Sequence, residues 1–241
     1  MSNCDATEGP EERNSGLSPP HGAARCEPLS VLHSAALRLS TLPPVRPVVK
    51  RVERIRSSPS LYPARASGFL QIAEFGLGNR SGSFLVQADV RQGMRVLDVG
   101  AGAGRVSIPA AKRVGSSGSV IALDPQESML VKLREYANRS GVSNVTTVTA
   151  PAGASDIAPS SVDRVLMSWV LGDIESDSRL AAMQEAYEVL VPGGLVAVAD
   201  QMPATLFQSP ASIRRLATQV GFLPNRIFRR PLGYTMTFTR P

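Results

Sequence analysis

The residues of this chain that are best placed to do chemistry are an aspartate and three glycines in the run VLDVGAGAG, residues 96–104. Two apolar residues followed by Asp98 are typical of the buried end of a parallel strand. Glycines at alternate positions predict a sharp turn into a helix, and a backbone without Cβ atoms lets a bound molecule approach closely. Because ligands of open α/β sheets bind at the carboxyl ends of the strands, the turn predicts a nucleotide-type site. The glycines are Gly100, Gly102 and Gly104.

The spacing of these glycines excludes two common nucleotide motifs. The dinucleotide fingerprint needs glycine at relative positions one, three and six, but the sixth position is Arg105 counting from Gly100 and Ser107 counting from Gly102. A phosphate-binding loop ending in Gly-Lys-Ser/Thr is also missing from the sequence. The pattern is instead Asp-x-Gly-x-Gly-x-Gly, and a second acid, Asp124, ends the next predicted strand. Such an acid can hydrogen-bond both hydroxyls of a ribose.

Helical and strand patterns alternate from Leu61 onward and must position these residues. A helical lead-in over residues 61–90 precedes five alternating strand and helix units, which predict a parallel, doubly wound sheet. Two adjoining runs at the C-terminus predict a hairpin that adds an antiparallel strand. The predicted strands are residues 94–99, 119–124, 145–149, 162–169, 195–200, 225–230 and 233–239.

Local signals mark several element ends. Asp124 is a candidate N-cap for the helix after the second strand, with Pro125 in its first turn and Glu127 completing a capping box. Another helix is predicted from about Asp177 to Leu190. The VPGG stretch, residues 191–194, predicts a turn before the fifth strand. A last helix is predicted to begin at Ser209 and to end at Gly221.

Four segments in order carry a resemblance to a known family: VLDVGAGAG, VIALDPQESML, SSVDRVLMSW and YEVLVPGGLVAVAD. With the GF and GYTMTF runs that follow, they make residues 66–241 resemble the class I S-adenosylmethionine-dependent methyltransferases, closest to the small-molecule branch of quinone-biosynthesis-like and arsenite-type enzymes. The resemblance implies a seven-stranded, mostly parallel sheet of order 3-2-1-4-5-7-6, with the seventh strand antiparallel and helices on both faces. The implied cofactor is S-adenosylmethionine.

The same resemblance implies roles for the site residues. The three glycines would line the methionine part of the cofactor, Asp98 would support that loop and the amino group, and Asp124 would hold the ribose. Such enzymes often have an acid after strand three for the adenine amino group, but residues 151–154 contain none. Asp156 or backbone carbonyls are the alternatives. The full set that we assign to the cofactor is Asp98, Gly100, Ala101, Gly102, Gly104, Asp124, Pro125 and Ser168.

Each assignment has a purely structural alternative. Asp98 could be a buried acid without a ligand, and Asp124 could be only a helix cap. Trp169, the single tryptophan, and its neighbour Ser168 could either pack in the core or contact a substrate. Asp163, at the start of the fourth strand, is interpreted as structural.

The first 60 residues have the composition of a disordered tail. They hold eight of the 19 prolines, among many Ser, Arg and Glu residues, and one stretch of helical spacing at 29–42. Both cysteines and both histidines also lie there, so we expect no metal site in the folded part, and no imidazole or thiol to act in catalysis. No apolar run is long enough to span a bilayer, and no targeting segment stands out, so the cytoplasm is the expected location.

The net charge of +6 is concentrated near the two ends of the predicted domain. Residues 201–241 carry six arginines and no acid, and residues 46–65 carry six basic residues against Glu53 alone. Such clusters could bind a phosphate backbone, but a solvated basic face is favoured because no aromatic residues are interleaved with the arginines.

The absence of two motifs argues against two classes of enzyme that methylate nucleic-acid bases. The strand-four end reads MSWVLGDI rather than the Asn/Asp-Pro-Pro-aromatic motif of amine-methylating nucleic-acid enzymes, and the domain lacks the cysteine of cytosine-C5 enzymes. We therefore expect direct in-line methyl transfer to a small molecule, and no residue is assigned a catalytic role. The alternatives are an RNA methyltransferase and a non-catalytic protein that binds RNA or a protein partner through its basic ends. Candidate substrate contacts are Tyr62, Phe69, Trp169, Asp173, Met202 and Phe207.

Overall fold

The computed structural model describes residues 80–201, 208–230 and 233–241, which form one seven-stranded sheet. In chain order the strands are β1 Arg95–Val99, β2 Ser119–Asp124, β3 Val145–Thr149, β4 Val162–Ser168, β5 Leu190–Gln201, β6 Leu223–Arg230 and β7 Gly233–Thr239. The spatial order is β3-β2-β1-β4-β5-β7-β6, and β7 is antiparallel to both of its neighbours. The first five strands run parallel, and this confirms the predicted doubly wound fold.

Helices cover both faces of the sheet and bury a core on each. The described helices are α1 Arg80–Gln87, α2 Ser107–Val114, α3 Glu127–Arg139, α4 Arg179–Val189 and α5 Pro210–Val220, with a short 3-10 turn at Ser176–Ser178. On one face α1 and α2 pack on residues such as Val96 and Leu166, and on the other α4 and α5 pack on residues such as Leu97 and Val165. Successive strand residues point to opposite faces, so the continuous apolar runs of β1 and β4 fill both cores.

Most predicted bounds lie within two residues of the observed ones. The last helix has its expected ends: the Ser209 hydroxyl accepts a hydrogen bond from the Ser212 N–H, and Gly221 has a φ of 110°. Gly141 follows α3 with a φ of 66°, and its N–H donates to the carbonyl of Asn138. Capping chemistry was therefore a dependable guide to the ends of the last helix.

Two local predictions were wrong. The helix after β2 begins at Glu127 with Gln126 at its N-cap position, so Asp124 does not cap it and Glu127 forms no capping box. The Glu127 carboxylate instead accepts hydrogen bonds from Thr149 and Arg134. The VPGG stretch is not a separate turn, because β5 runs through it with a register shift opposite Val162–Arg164.

The predicted tail over residues 1–60, the helical stretch at 29–42 and most of the lead-in at 61–90 lie outside the described residues. The part of the lead-in that the structure describes contains α1. None of the described helices is long and apolar enough to span a membrane.

Candidate binding site at the carboxyl ends of the strands

A cavity of about 530 Å³ opens at the carboxyl ends of the central strands. Its walls are the glycine turn after β1, the end of β2, the loop after β3 and the segment after β4. Of the eight residues that we assigned to the cofactor, the cavity is lined by Gly100, Ala101, Gly102, Asp124, Pro125 and Ser168. The predicted location of the site is thus the place where the described part of the chain has a large cavity.

The glycines of the turn are required for different structural reasons. A Cβ on Gly100 would lie 2.4 Å from the Cγ2 atom of Val170, and one on Gly104 would lie 2.9 Å from the Cγ atom of Leu133. Gly102 has a φ of 53°, and a Cβ there would meet no described protein atom within 4 Å. Gly100 and Gly104 therefore allow close packing within the protein, while Gly102 leaves open space at the cavity wall.

Asp124 links the glycine turn to the start of the next helix. One of its carboxylate oxygens accepts a hydrogen bond from the Gly102 N–H and the other from the Gln126 N–H, each at 2.9 Å. The side chain is buried, and burial raises the pKa of the Asp124 carboxyl above its ordinary value. Each oxygen keeps a second lone pair. The carboxylate can therefore accept further hydrogen bonds from a ligand in the cavity.

Asp98 lies behind the glycine turn rather than on the cavity wall. Its carboxylate is only 2% exposed and accepts a hydrogen bond from the Ser107 hydroxyl at 2.5 Å. Burial raises the pKa of Asp98 to about 7, even though the Ser107 hydrogen bond opposes this rise. Ser107 is the second residue that broke the dinucleotide spacing, and its hydroxyl fixes this acid.

A stacked arginine and tryptophan form the wall next to β4. The Arg105 guanidinium lies over the Trp169 ring, with Cζ 4.1 Å from the ring centroid, and donates a hydrogen bond to the Ser168 hydroxyl at 2.9 Å. Trp169 has a φ of 62°, a conformation that few non-glycine residues adopt. Sequence reasoning assigned no role to Arg105, although its place directly after the last glycine was the available signal.

The loop after β3 forms the opposite wall without a carboxylate on it. Residues 150–154 line the cavity, whereas Asp156 is exposed and does not line it. A buried carboxylate from α4 holds the loop from behind: Glu185 accepts hydrogen bonds from the N–H groups of Gly153 and Ser155. Sequence reasoning missed Glu185, because no local pattern connects it to a loop thirty residues earlier.

The predicted substrate contacts are only partly described. Trp169 and Asp173 line the cavity, together with Glu175, while Tyr62, Phe69, Met202 and Phe207 lie outside the described residues. Helix α1 adds no residue to the cavity lining, but the Ser81 hydroxyl donates to the Arg105 carbonyl. Among the described lining residues Arg105 is the only cation. Within the same described ranges no cluster of His, Cys, Asp or Glu could hold a metal ion.

The stretch of chain that lines the cavity also matches a known family of domains. Residues 96–194, which contain the glycine turn, Asp124 and Trp169, match the family model described as a methyltransferase domain. The strand order is the one that the resemblance to this family implied. This part of the chain therefore resembles a methyltransferase domain in both sequence and strand order.

Two curated relatives are similar to about half of this chain. An arsenite methyltransferase of Halobacterium salinarum is 33% identical over 135 residues, which are 56% of this chain and 34% of that protein. A ubiquinone/menaquinone biosynthesis C-methyltransferase of a Marinomonas species is 35% identical over 115 residues, which are 47% of this chain and 45% of that protein. The chain therefore matches less than half the length of these relatives.

A solved structure shares the fold of the methyltransferase domain. A SAM-dependent methyltransferase from Aquifex aeolicus superposes with a TM-score of 0.62 at 23% identity. The superposition covers 67% of this chain and 90% of that one. At this level of identity the likeness concerns the fold.

Proposed function

We propose that the cavity binds S-adenosylmethionine and that the protein transfers its methyl group to a small-molecule acceptor. The observation that carries this proposal is the link between Asp124 and Gly102. A carboxylate at the end of β2 holds the N–H of a glycine whose missing side chain leaves open space at the cavity wall. The site therefore combines a carboxylate that can accept hydrogen bonds from ribose hydroxyls with a backbone turn that a ligand can approach closely.

The side chains around the cavity fit this cofactor better than a phosphate-bearing one. S-adenosylmethionine has no phosphate, so the glycine turn needs no cluster of cations, and Arg105 is the one described cation on the wall. We assign Arg105 to the α-carboxylate of the methionine part, since it directly follows the glycine turn. Asp124, Asp173 and Glu175 give the wall a negative potential that favours a positively charged sulfur.

Catalysis on this proposal rests on alignment. When bound, S-adenosylmethionine would supply an electrophilic methyl carbon. An electron pair of the acceptor would form the new bond to this carbon while the carbon–sulfur bond breaks, and the sulfonium would leave as a neutral thioether. The residues of the chain bind, orient and exclude water: Asp124 and the glycine turn hold one end, and Ser168 and Trp169 form the wall at the end of β4. Correct alignment alone can supply a large part of the rate enhancement.

A small-molecule acceptor is supported by the size of the cavity and by the relatives. The cavity of about 530 Å³ has the size of small-molecule sites, and the cofactor would take up much of it. The curated relatives are named for arsenite methylation and for a step of ubiquinone and menaquinone biosynthesis. Both names denote small acceptors, so we propose this class here.

Transfer of an isotope-labelled methyl group tests the proposal. The full chain would be incubated with methyl-labelled S-adenosylmethionine and, separately, with arsenite plus a thiol, with a soluble hydroquinone and with mixed RNA. We expect label in a small-molecule product and none in RNA. Label in RNA alone would replace the small-molecule proposal by an RNA methyltransferase. Cofactor binding without transfer to any acceptor would favour the non-catalytic alternative.

A further inference from the structure

The wall of the cavity formed by the loop after β3 has its geometry set by a residue outside the cavity. We propose that Glu185 is a positioning residue that makes the cofactor site selective for adenine by fixing the backbone of this loop. The inference rests on the proposed function, since it assumes that the loop faces the base of S-adenosylmethionine. It is supported by the hydrogen bonding and packing of the loop against α4.

The Glu185 carboxylate holds two backbone groups of the loop at once. Its Oε2 atom accepts from the Gly153 N–H and its Oε1 atom from the Ser155 N–H, both at 2.7 Å. The side chain is 9% exposed, so these bonds form away from most of the solvent. Hydrogen bonds to a charged acceptor are shorter and stronger than those between neutral groups. The bonds therefore fix the loop firmly relative to α4.

The packing of Gly153 is a second, independent sign that the loop is fixed against α4. Gly153 has a φ of 91°, and a Cβ there would lie 2.8 Å from backbone atoms of Ala181 and Ala182. Only glycine permits so close an approach of the loop to the helix. The first turns of α4 thus support the loop from behind, while its residues line the cavity in front.

Hydrogen bonding within the loop decides which groups it can offer a base. The N–H groups of Gly153 and Ser155 donate to Glu185, the N–H of Ala154 donates to the Pro151 carbonyl, and Pro151 itself has no N–H. The polar groups that this stretch presents are therefore its backbone carbonyl oxygens and the single N–H of Ala152. Carbonyls accept hydrogen bonds, and the exocyclic amino group of adenine donates them.

Base selectivity follows from this imbalance of donors and acceptors. Hypoxanthine carries an oxygen where adenine carries the amino group, so it would place an acceptor against the loop carbonyls. A site of fixed hydrogen-bonding groups rejects a ligand that leaves them unpaired. The loop does so only while Glu185 holds its backbone in place, since no loop side chain at 151–154 carries a polar group.

The test compares two product analogues that differ in this one group. Calorimetry would measure the Kd of S-adenosylhomocysteine and S-inosylhomocysteine for the full chain, for Glu185→Gln and for Glu188→Gln. Glutamine can accept at only one of the two loop N–H groups and places its own N–H₂ against the other. Glu188, exposed on the same helix, controls for the lost charge.

In the wild type and in Glu188→Gln we expect S-adenosylhomocysteine to bind at least about tenfold more tightly than the inosine analogue, the effect of one hydrogen bond. In Glu185→Gln this ratio should fall to about one, mainly through weaker binding of the adenosine compound. An unchanged ratio in a folded Glu185→Gln, or an equal loss for both ligands, would overturn the role of Glu185. If Glu185→Gln does not fold, Glu185→Asp, which withdraws the carboxylate by one methylene, takes its place with the same expected ratio. Failure of the wild type to bind S-adenosylhomocysteine would instead refute the proposed function itself.

Discussion

The two walls of the cavity are held by buried carboxylates in different ways. The glycine turn is held by two acids at the ends of neighbouring strands. Asp124, at the end of β2, accepts a hydrogen bond from the Gly102 N–H, and Asp98, in β1, accepts one from Ser107 just beyond the turn. The loop after β3 is anchored by Glu185, from a helix that follows much later in the chain. The acids of the first wall belong to a motif that is visible in the sequence, whereas the acid of the second wall is far from its loop in the sequence and meets it only in the folded protein.

The largest expected effect concerns stability and the buried acid of the first wall. The raised pKa of Asp98, about 7 against an ordinary 3.8, means that the folded protein keeps a proton that the unfolded chain loses between pH 4 and 7. The free energy of unfolding should therefore fall as pH rises through this range. In Asp98→Asn this titration is absent, so its stability relative to wild type should rise by about 3 kcal/mol from pH 4 to pH 7. Urea unfolding at a series of pH values measures the difference.

A carboxylate with the opposite shift serves as the control for that experiment. Burial acts against it, but hydrogen bonds from Arg95 hold the pKa of Asp163 below its ordinary value. Asp163→Asn should therefore lose stability relative to wild type above about pH 4, with the loss disappearing in more acid solution. A pH-independent difference between wild type and Asp98→Asn would contradict a buried, protonated Asp98.

The next largest effect concerns cofactor binding at Asp124. In Asp124→Asn the side chain keeps its shape but retains one accepting oxygen, so a ribose hydroxyl and one of the two backbone N–H groups lose their partner. We expect S-adenosylmethionine to bind about 100-fold more weakly, the effect of losing charge-assisted hydrogen bonds. Asp163→Asn, far from the cavity lining, should bind as wild type does. Equal affinities for both variants would mean that Asp124 only holds the turn.

A smaller effect on cofactor affinity than at Asp124 is expected from adding a side chain at Gly102, which borders the cavity, whereas Gly141, which does not border it, serves as the control. Gly102 and Gly141 both have left-handed backbones, with φ values of 53° and 66°, and at neither would a Cβ meet a described atom within 4 Å. Alanine at either site costs a similar amount of stability. Only Gly102→Ala should weaken cofactor binding, by about tenfold, because its methyl group enters the cavity. Calorimetry on both variants checks this, and a matching loss in Gly141→Ala would show that backbone strain is the cause.

The smallest effect is expected at the wall next to β4. Arg105→Lys keeps the charge but loses the planar group that stacks on Trp169 and bonds Ser168. We expect about a threefold weaker Kd for S-adenosylmethionine. Arg134→Lys, on the exposed side of α3, is the matched control and should have no effect on binding. A loss above about 100-fold in Arg105→Lys would place more of the binding energy at this wall than we assign to it.

The contrast between the walls also explains what the sequence could predict. Most element bounds were predictable because apolar runs, Ser209 and Gly221 are local signals, whereas the strand order followed from the family resemblance. Asp124 was correctly placed at the end of β2, but its helix-cap role was wrong because its two oxygens bond Gly102 and Gln126 instead. Glu185 and the stacking of Arg105 on Trp169 could not be predicted, since each depends on contacts between distant segments. Only the position of Arg105 directly after the last glycine was visible in the sequence. The disordered tail and the cytoplasmic location stay predictions.

The central claim, that this cavity is an S-adenosylmethionine site, is tested most directly by calorimetric titration of the full chain with S-adenosylmethionine. We predict one site per chain with a Kd in the micromolar range, about −8 kcal/mol. No detectable binding at millimolar S-adenosylmethionine would contradict the claim.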